Sequence, residues 1–263
     1  MGKVEPNARQ LERPSDDQLL YKITTVENLI KSIERGYLHF NRVDSYSDFS
    51  GADPHDGEQL PADRPAQQKD TFTKAPDISV SDYYDRVRGR TYACCFSTQD
   101  SQFIWENYGA GSQLGKVCIV FRFAGLRAVL NHFFEQSDAC VQYGDVKCHQ
   151  IFSVDYGLVQ YVDRKIYQGQ YKNPIEHAFL KDSKYEAEQE FRITLSAFGL
   201  GKFVLKDGGE FEFPSNLQLA FNFAHALAHN SILGLVCQDA DQKGHLEGLV
   251  EGMPISFRSD SVC

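Results

Sequence analysis

The apolar positions of this chain switch repeatedly between a period of two and a period of about 3.6, the signatures of strand and helix. LLYKITTVENLIKSIERGYLHF reads as a strand, Leu19 to Ile23, a helix that ends at Gly36, and a second strand, Tyr37 to Phe40. In that helix Leu29, Ile30 and Ile33 make an apolar face, Thr24 or Thr25 serves as cap, and Glu27 falls in the first turn. Tyr92 to Phe96 and Lys116 to Phe123 read as strands on either side of a helix that starts near Ser101. AGLRAVLNHFFEQ is an amphipathic helix and VQYGDVKC a strand; the stretch from IFSVDYGL to YKNPIEHAFLKDSKYEAEQ is mixed and then helical. EFRITLSAF and KFVLKD alternate as strands do, across a Gly-rich break. LQLAFNFAHALAHNS reads as a helix, SILGLVCQ as a late strand, and the remainder as a short helix and a polar tail.

Interspersed helices and strands with hairpin-like pairs and irregular spacing argue against a regular parallel sheet and for the α+β class. The expected organisation is a polar leader over residues 1–18, a single domain over 19–255 and a tail over 256–263. From Asp44 to Arg90 the composition turns polar, and SGADPHDGEQLPADRPAQQKD holds little that is suited to burial. Residues 44–90 are therefore expected to form a long mobile loop, with a short helix around Tyr83 to Val87. Because this loop joins two strands of the expected pocket, it reads as a lid.

Composition narrows the function. At 263 residues and 42% hydrophobic content the chain can bury a substantial core. A formal net charge of -9 and a pI near 5.4 give no electrostatic footprint for undirected binding to nucleic acid. No run approaches the roughly 18 apolar residues of a membrane span, and MGKVEPNARQLERPSDD lacks the apolar centre of a signal peptide. Seven cysteines without a CxxC pair fit reduced thiols. The expectation is a soluble cytoplasmic protein with no membrane partner; delivery into a target cell by a secretion machine would leave no trace in these residues.

Several stretches together resemble an uncharacterised bacterial family, domain of unknown function 2971. They are LYK at Leu20 to Lys22, CCFST followed by IWENYG, GKVCIVF, VQY at Val141 to Tyr143, and KDSKYEAEQEFR at Lys181 to Arg192. The family pattern is met by Phe96, Ser97, Trp105, Tyr108, Gly115, Lys181, Glu188, Glu190 and Arg192. It departs at Tyr185, where an indole is usual, and at YSDFSGADPHD, where a compact Asn-Asp-Pro turn is usual.

More distantly, the chain resembles ADP-ribosyltransferases of the arginine-serine-glutamate class. LYKITTVENLIKSIERGYL is similar to their opening, CCFST to their hydroxyl-bearing second motif, and EQEFRI to their Glu-x-Glu entering a strand, in that order. The resemblance implies mixed sheets with flanking helices, NAD as substrate, no metal, and a macromolecular acceptor. It also implies a setting as toxin, effector or phage-defence protein, with room for a neutralising partner. The acidic balance places protein ahead of nucleic acid as acceptor. Implied catalytic residues are Glu190, which stabilises an oxocarbenium-like ribosyl cation, and Glu188, expected two residues earlier on the same strand edge, which takes the acceptor's proton. Implied nucleotide contacts are Tyr21, Lys22, Ser97, Thr98, Trp105, Tyr108 and Arg192, with Trp105 and Tyr108 on one helical face to stack on a ring. Lys22 stands where the class has Arg, and an ammonium cannot make the planar two-pronged phosphate contact of a guanidinium. Arg42 or Arg192 is then the candidate for the missing fork.

Each residue also has a structural reading. Trp105 and Tyr108 fit plain core, Ser97 and Thr98 fit caps of the next helix, and KYEAEQEFR fits a solvated helix end running into a strand. His225 and His229 lie four apart on one helical face, a spacing that can hold zinc, without the Glu of a metalloprotease motif. Two further functions remain open: a non-catalytic nucleotide-binding module, and a metal-dependent nuclease using Glu-x-Glu-x-Arg.

Overall fold

Leu20 and Val26 sit at the junction from which the architecture grows, where the first strand, Leu19–Thr25, runs straight into the helix Val26–Arg35. Thr25 caps that helix by accepting from the Asn28 amide at 3.1 Å. Gly36 closes it in the left-handed region that glycine enters without strain. The computed structural model describes residues 11–48, 51–72, 75–136, 139–149, 151–169, 173–197, 201–205, 207–248 and 252–258.

An 11-stranded sheet organises these residues. From one edge it runs Ile255–Phe257, Ile232–Cys237, Lys116–Arg122, Leu19–Thr25, Thr91–Ser97, Tyr37–Arg42, Asn216–Ala220, Val141–Tyr143 and Val146–Cys148. Glu190–Ala197 takes the whole of one edge of Thr91–Ser97 and pairs on its far side with Ile151–Leu158. The other edge of Thr91–Ser97 is shared, by Tyr37–Arg42 near Tyr92 and Ala93 and by Leu19–Thr25 at Ser97 alone. The sheet therefore forks beside Ser97. Apart from the parallel edge pair Ile232–Cys237 and Ile255–Phe257, its ladders are antiparallel, in keeping with α+β.

Several expected elements change type. VQYGDVKC is a hairpin of two short strands, with Gly144 in the left-handed turn. LQLAFNFAHALAHNS divides into the strand Asn216–Ala220 and the helix Phe223–Ala228, because alternating Leu217 and Leu219 find ladder partners in Phe40 and Leu38. Residues 183–188 form a 3-10 turn rather than a longer helix. Ser256 and Phe257, expected in a polar tail, lie on the edge strand. From Leu11 onward the leader is fixed as well, with the Glu12 carbonyl accepting from the Leu158 amide at 2.8 Å.

The largest departure concerns residues 44–90. The described residues of this segment are folded, with a 3-10 turn over Val43–Asp48, a short helix Arg64–Lys69 and a longer helix Val80–Arg88. Asp53, Asp56, Gln59 and Leu60 are all buried. Polar composition did not leave it unpacked, because Asp56 binds Arg192 of the sheet, Asp53 and Asp63 accept from the Asp182 and Gly169 amides, and the Gln59 amide donates to the Ser81 carbonyl and to Asp85. With residues 173–180 it forms a second layer around Val43, Val87, Ala93, Ile175, Ala178 and Phe179. This layer covers the polar face of Glu190–Ala197, so that Glu190, Arg192, Thr194 and Ser196 are at most 4% exposed. The opposite face, with Phe191, Ile193 and Leu195, belongs to the main core. Among the described residues no helix is long and apolar enough to cross a membrane.

Candidate active site

Tyr21, Ser97 and Glu190 come from three stretches far apart in the chain and stand in one row across three neighbouring strands. Ser97 pairs with Tyr21 on one side and with Glu190 on the other. Residues opposite one another in a ladder share a face, so all three side chains project to the same side of the sheet.

Glu188 arrives by a different route from the one expected. It ends the 3-10 turn Ser183–Glu188, and the strand begins only at Glu190. The residue between them, Gln189, is held in the left-handed region (φ 44°, ψ 56°), which non-glycine residues rarely enter. Thr98 secures that turn: its amide and its hydroxyl both donate to the Gln189 carbonyl, at 2.8 and 3.1 Å. Ser97 Oγ accepts from the Gln99 amide at 3.1 Å, and the helix that follows is capped by Ser101 instead.

Both carboxylates converge on Lys181, from the short strand Leu180–Asp182. Its ammonium donates to Glu188 and, at 3.0 Å, to Glu190 Oε2. Arg192 reaches Glu190 through Nε to Oε1 at 2.8 Å and Nη2 to Oε2 at 3.0 Å. Its outer edge forms two 2.6 Å bonds to the Asp56 carboxylate, and Nη1 also donates to the Ala178 carbonyl. All five guanidinium N–H donors are thereby engaged.

These contacts push the two glutamates in opposite directions. Burial raises Glu188, and repulsion from Glu190 raises it further, against the pull of Lys181 and a hydrogen bond from Tyr108. Burial also opposes ionisation of Glu190, but the charges of Arg192 and then Lys181 outweigh it and hold the group well below the usual carboxylate range. Desolvation and the neighbouring carboxylates raise the Tyr108 and Tyr161 phenols, which therefore stay protonated. The Cys95 thiol is raised by burial and by Glu190, to which it is hydrogen-bonded. A pair of carboxyl groups with separated proton affinities is the usual basis for distinct acid–base and electrostatic roles.

The other expected contacts divide. Tyr21, Ser97 and Tyr108 line a cleft against Glu188 and Glu190, together with Ile23, Ile104 and Cys95. Tyr108 does not share a helical face with Trp105; the helix spans Gln102–Asn107 and Tyr108 leaves it in extended conformation. Trp105 is 2% exposed, packed with Ile104 and Cys118, and its indole N–H donates to Asp100 at 2.7 Å. It supports the cleft wall from behind. Lys22, next to Tyr21 and so on the other face of the strand, donates to the Cys95 carbonyl at 3.1 Å and lies 5.1 Å from the Phe96 ring centre. Arg192 is fully buried and saturated, so it orients Glu190 and cannot supply a phosphate fork. Arg42 is bound to Asp44 and to the Phe213 carbonyl, both at 2.5 Å. The His225 and His229 rings are tilted with centres 3.9 Å apart, and His132 stacks on His225. Among the described residues no group of three or more His, Cys, Asp or Glu side chains is placed to hold a metal ion.

Sequence reasoning assigned no role to Lys181 or Asp56. The first was visible in the Lys181 to Arg192 stretch, at a spacing that gave no hint of a shared ammonium. The second had no local signal, since its partner Arg192 is 136 residues away. A larger depression of about 750 Å³ lies elsewhere, lined by Ile33, Phe133, Phe221, Leu227 and Met253, with no buried charge.

No protein-family model matches the chain, and no curated protein matches it. Among solved structures, Thermus sp. 2.9 DarT in complex with ADP-ribosylated ssDNA aligns over 95% of this chain and 99% of that one. The identity is 8% and the TM-score 0.35, a likeness that does not by itself establish a common fold.

Proposed function

We propose that this protein is an ADP-ribosyltransferase-like enzyme that uses NAD to modify a macromolecular acceptor. The observation that carries the reading is the row Tyr21, Ser97, Glu190 across three strands, with Glu188 held on the same ammonium as Glu190. In this reaction the bond between the nicotinamide nitrogen and the ribose C1′ breaks and nicotinamide leaves with the bonding electron pair. Glu190, ionised throughout the neutral range, stabilises the positive charge that develops on the ribose. The acceptor's oxygen or nitrogen bonds to C1′ and its proton passes to Glu188. Ser97 holds the geometry between them, and Lys22, which points away from the cleft but whose ammonium reaches the Cys95 carbonyl across the fork in the sheet, answers the pyrophosphate charge at that fork.

The free volume of the cleft is about 30 Å³, room for a few water molecules at most. Admission of a nicotinamide ring therefore requires the half-buried Tyr21 or Tyr108 ring to swing aside. Nucleotide binding and opening of the wall are one event in this scheme.

The test is incubation of the wild-type protein and Glu190→Gln with NAD labelled in the adenylate, with cell extract as acceptor source. Label transferred to macromolecules by wild type alone is the expected result. NAD binding without turnover would move the assignment to a nucleotide-binding module. Metal-dependent cleavage of nucleic acid, with no use of NAD, would move it to a nuclease.

A further inference from the structure

The charges buried around the carboxylate pair do not cancel locally. Lys181 and Arg192 supply two cations; Glu188 and Glu190 supply two carboxylates on the sheet side, and Asp56 adds a third from the 44–90 layer. Asp56 is 1% exposed, binds both outer nitrogens of Arg192, and lies 3.9 Å from the Lys181 ammonium. Arg192 is thus gripped between Asp56 and Glu190, and Lys181 is shared by all three carboxylates.

Building on the proposed reaction, we infer that Asp56 is a positioning residue of the site: by holding the outer face of Arg192 it limits the positive charge acting on Glu188 and so makes Glu188 the carboxyl that exchanges the proton. The physical reason is a balance of charge in a dry environment. With Asp56 ionised the cluster carries one carboxylate more than it has cations, and desolvation directs the proton to the least compensated oxygen. Glu190 has Arg192 and Lys181; among the described residues Glu188 has Lys181 and the Tyr108 hydroxyl. Removing the Asp56 charge leaves two cations for two carboxylates, which weakens the bias that burial and Glu190 exert towards a proton on Glu188.

The groups facing Glu188 come from every element packed around it. Lys181 comes from the short strand Leu180–Asp182, Glu190 and Arg192 from the strand Glu190–Ala197, and Tyr108 from the end of the helix Gln102–Asn107. Tyr161 lies on Gln160–Val162, where its hydroxyl accepts from the Glu190 amide at 2.7 Å. Cys95 and Tyr46, hydrogen-bonded to each other at 3.2 Å, close the Glu190 side as neutral groups. Among these neighbours Asp56 carries the only charge contributed by the folded insertion.

The experiment follows the glutamate carboxyl carbons by 13C NMR across a pH series in the whole protein, the Glu188 signal being identified by its loss in Glu188→Gln. In wild type Glu188 is expected to titrate above the ordinary glutamate value. In Asp56→Asn its midpoint is expected to fall by about one pH unit. In Asp56→Glu, which keeps the charge, it should stay at least as high as in wild type. The acid limb of the transfer rate should follow the same shifts, while NAD hydrolysis by water, which does not use Glu188, should not. An unchanged Glu188 midpoint in Asp56→Asn overturns the inference. If that variant does not fold, a fall in Asp56→Glu overturns it instead. Because the NMR midpoint needs no NAD, a protein with no transferase activity but the expected shift would overturn the proposed reaction and leave the role of Asp56 standing.

Discussion

Ser97 lies directly across the antiparallel ladder from Glu190, and this single register places the hydroxyl motif and the acidic motif on one face of the sheet. A slip of one residue would send Glu190 to the hydrophobic side now held by Phe191, which is in ring contact with Phe96, Phe123 and Tyr156. The aromatic packing on one face therefore fixes the polar constellation on the other.

If Glu190 stabilises a ribosyl cation, Glu190→Gln should lower both NAD hydrolysis and transfer by orders of magnitude with little change in NAD affinity. Glu188→Gln should reduce transfer and leave much of the hydrolysis. Equal losses of both activities in the two variants would remove the division of roles.

Lys22→Ala should weaken NAD binding by about 1.5 to 3 kcal/mol, the range for a charge-assisted contact, and Lys22→Arg should keep or improve it. The ammonium's internal contacts are the Cys95 carbonyl, the Phe96 ring face and the Cys94 thiol, none of them an ionised partner, so the melting temperature should move little. Calorimetry giving the same affinity for wild type and Lys22→Ala would take this residue out of the site.

Trp105→Ala should cost about 3 to 5 kcal/mol of unfolding free energy, as expected for emptying a buried aromatic site. Trp105→Phe should recover most of that and, because the indole does not line the cleft, leave NAD affinity close to wild type. A large selective loss of affinity in Trp105→Phe, with stability intact, would show that the ring reaches the nucleotide.

His177 is 1% exposed, and burial followed by the charge of Arg164 lowers its pKa from 6.5 to about 4. The unfolded chain takes up this proton near pH 6.5 while the folded protein resists until about pH 4. The folded state then binds fewer protons, and stability falls as pH drops through that window, by up to about 1.4 kcal/mol per unit. Above pH 6.5 the contribution is complete. Urea unfolding at pH 7.0 and pH 5.0 should show a steeper loss in wild type than in His177→Phe, and identical slopes would contradict the assignment.

The alternation of EFRITLSA and the helix bounded by Thr25 and Gly36 were legible because both are local: period-two patterning, a capping hydroxyl and a glycine at a left-handed end act within a few residues. The order of the three motif stretches was legible in the same way. Their meeting was not, because register is set by cross-strand packing that no single stretch contains. The sequence also determined that Glu190, Arg192, Thr194 and Ser196 share one face, but only the tertiary structure decided that this face is buried. The cover comes from residues 44–90, whose polar composition reads as solvated until Asp56 is seen to satisfy Arg192. A charged pair buried between distant segments leaves no periodic trace, since its stability depends on mutual desolvation and geometry rather than on neighbours in the chain. For the same reason the hinge at Gln189, which carries Glu188 off the strand edge and onto Lys181, came from tertiary contacts with Thr98 and not from any propensity of the residue itself.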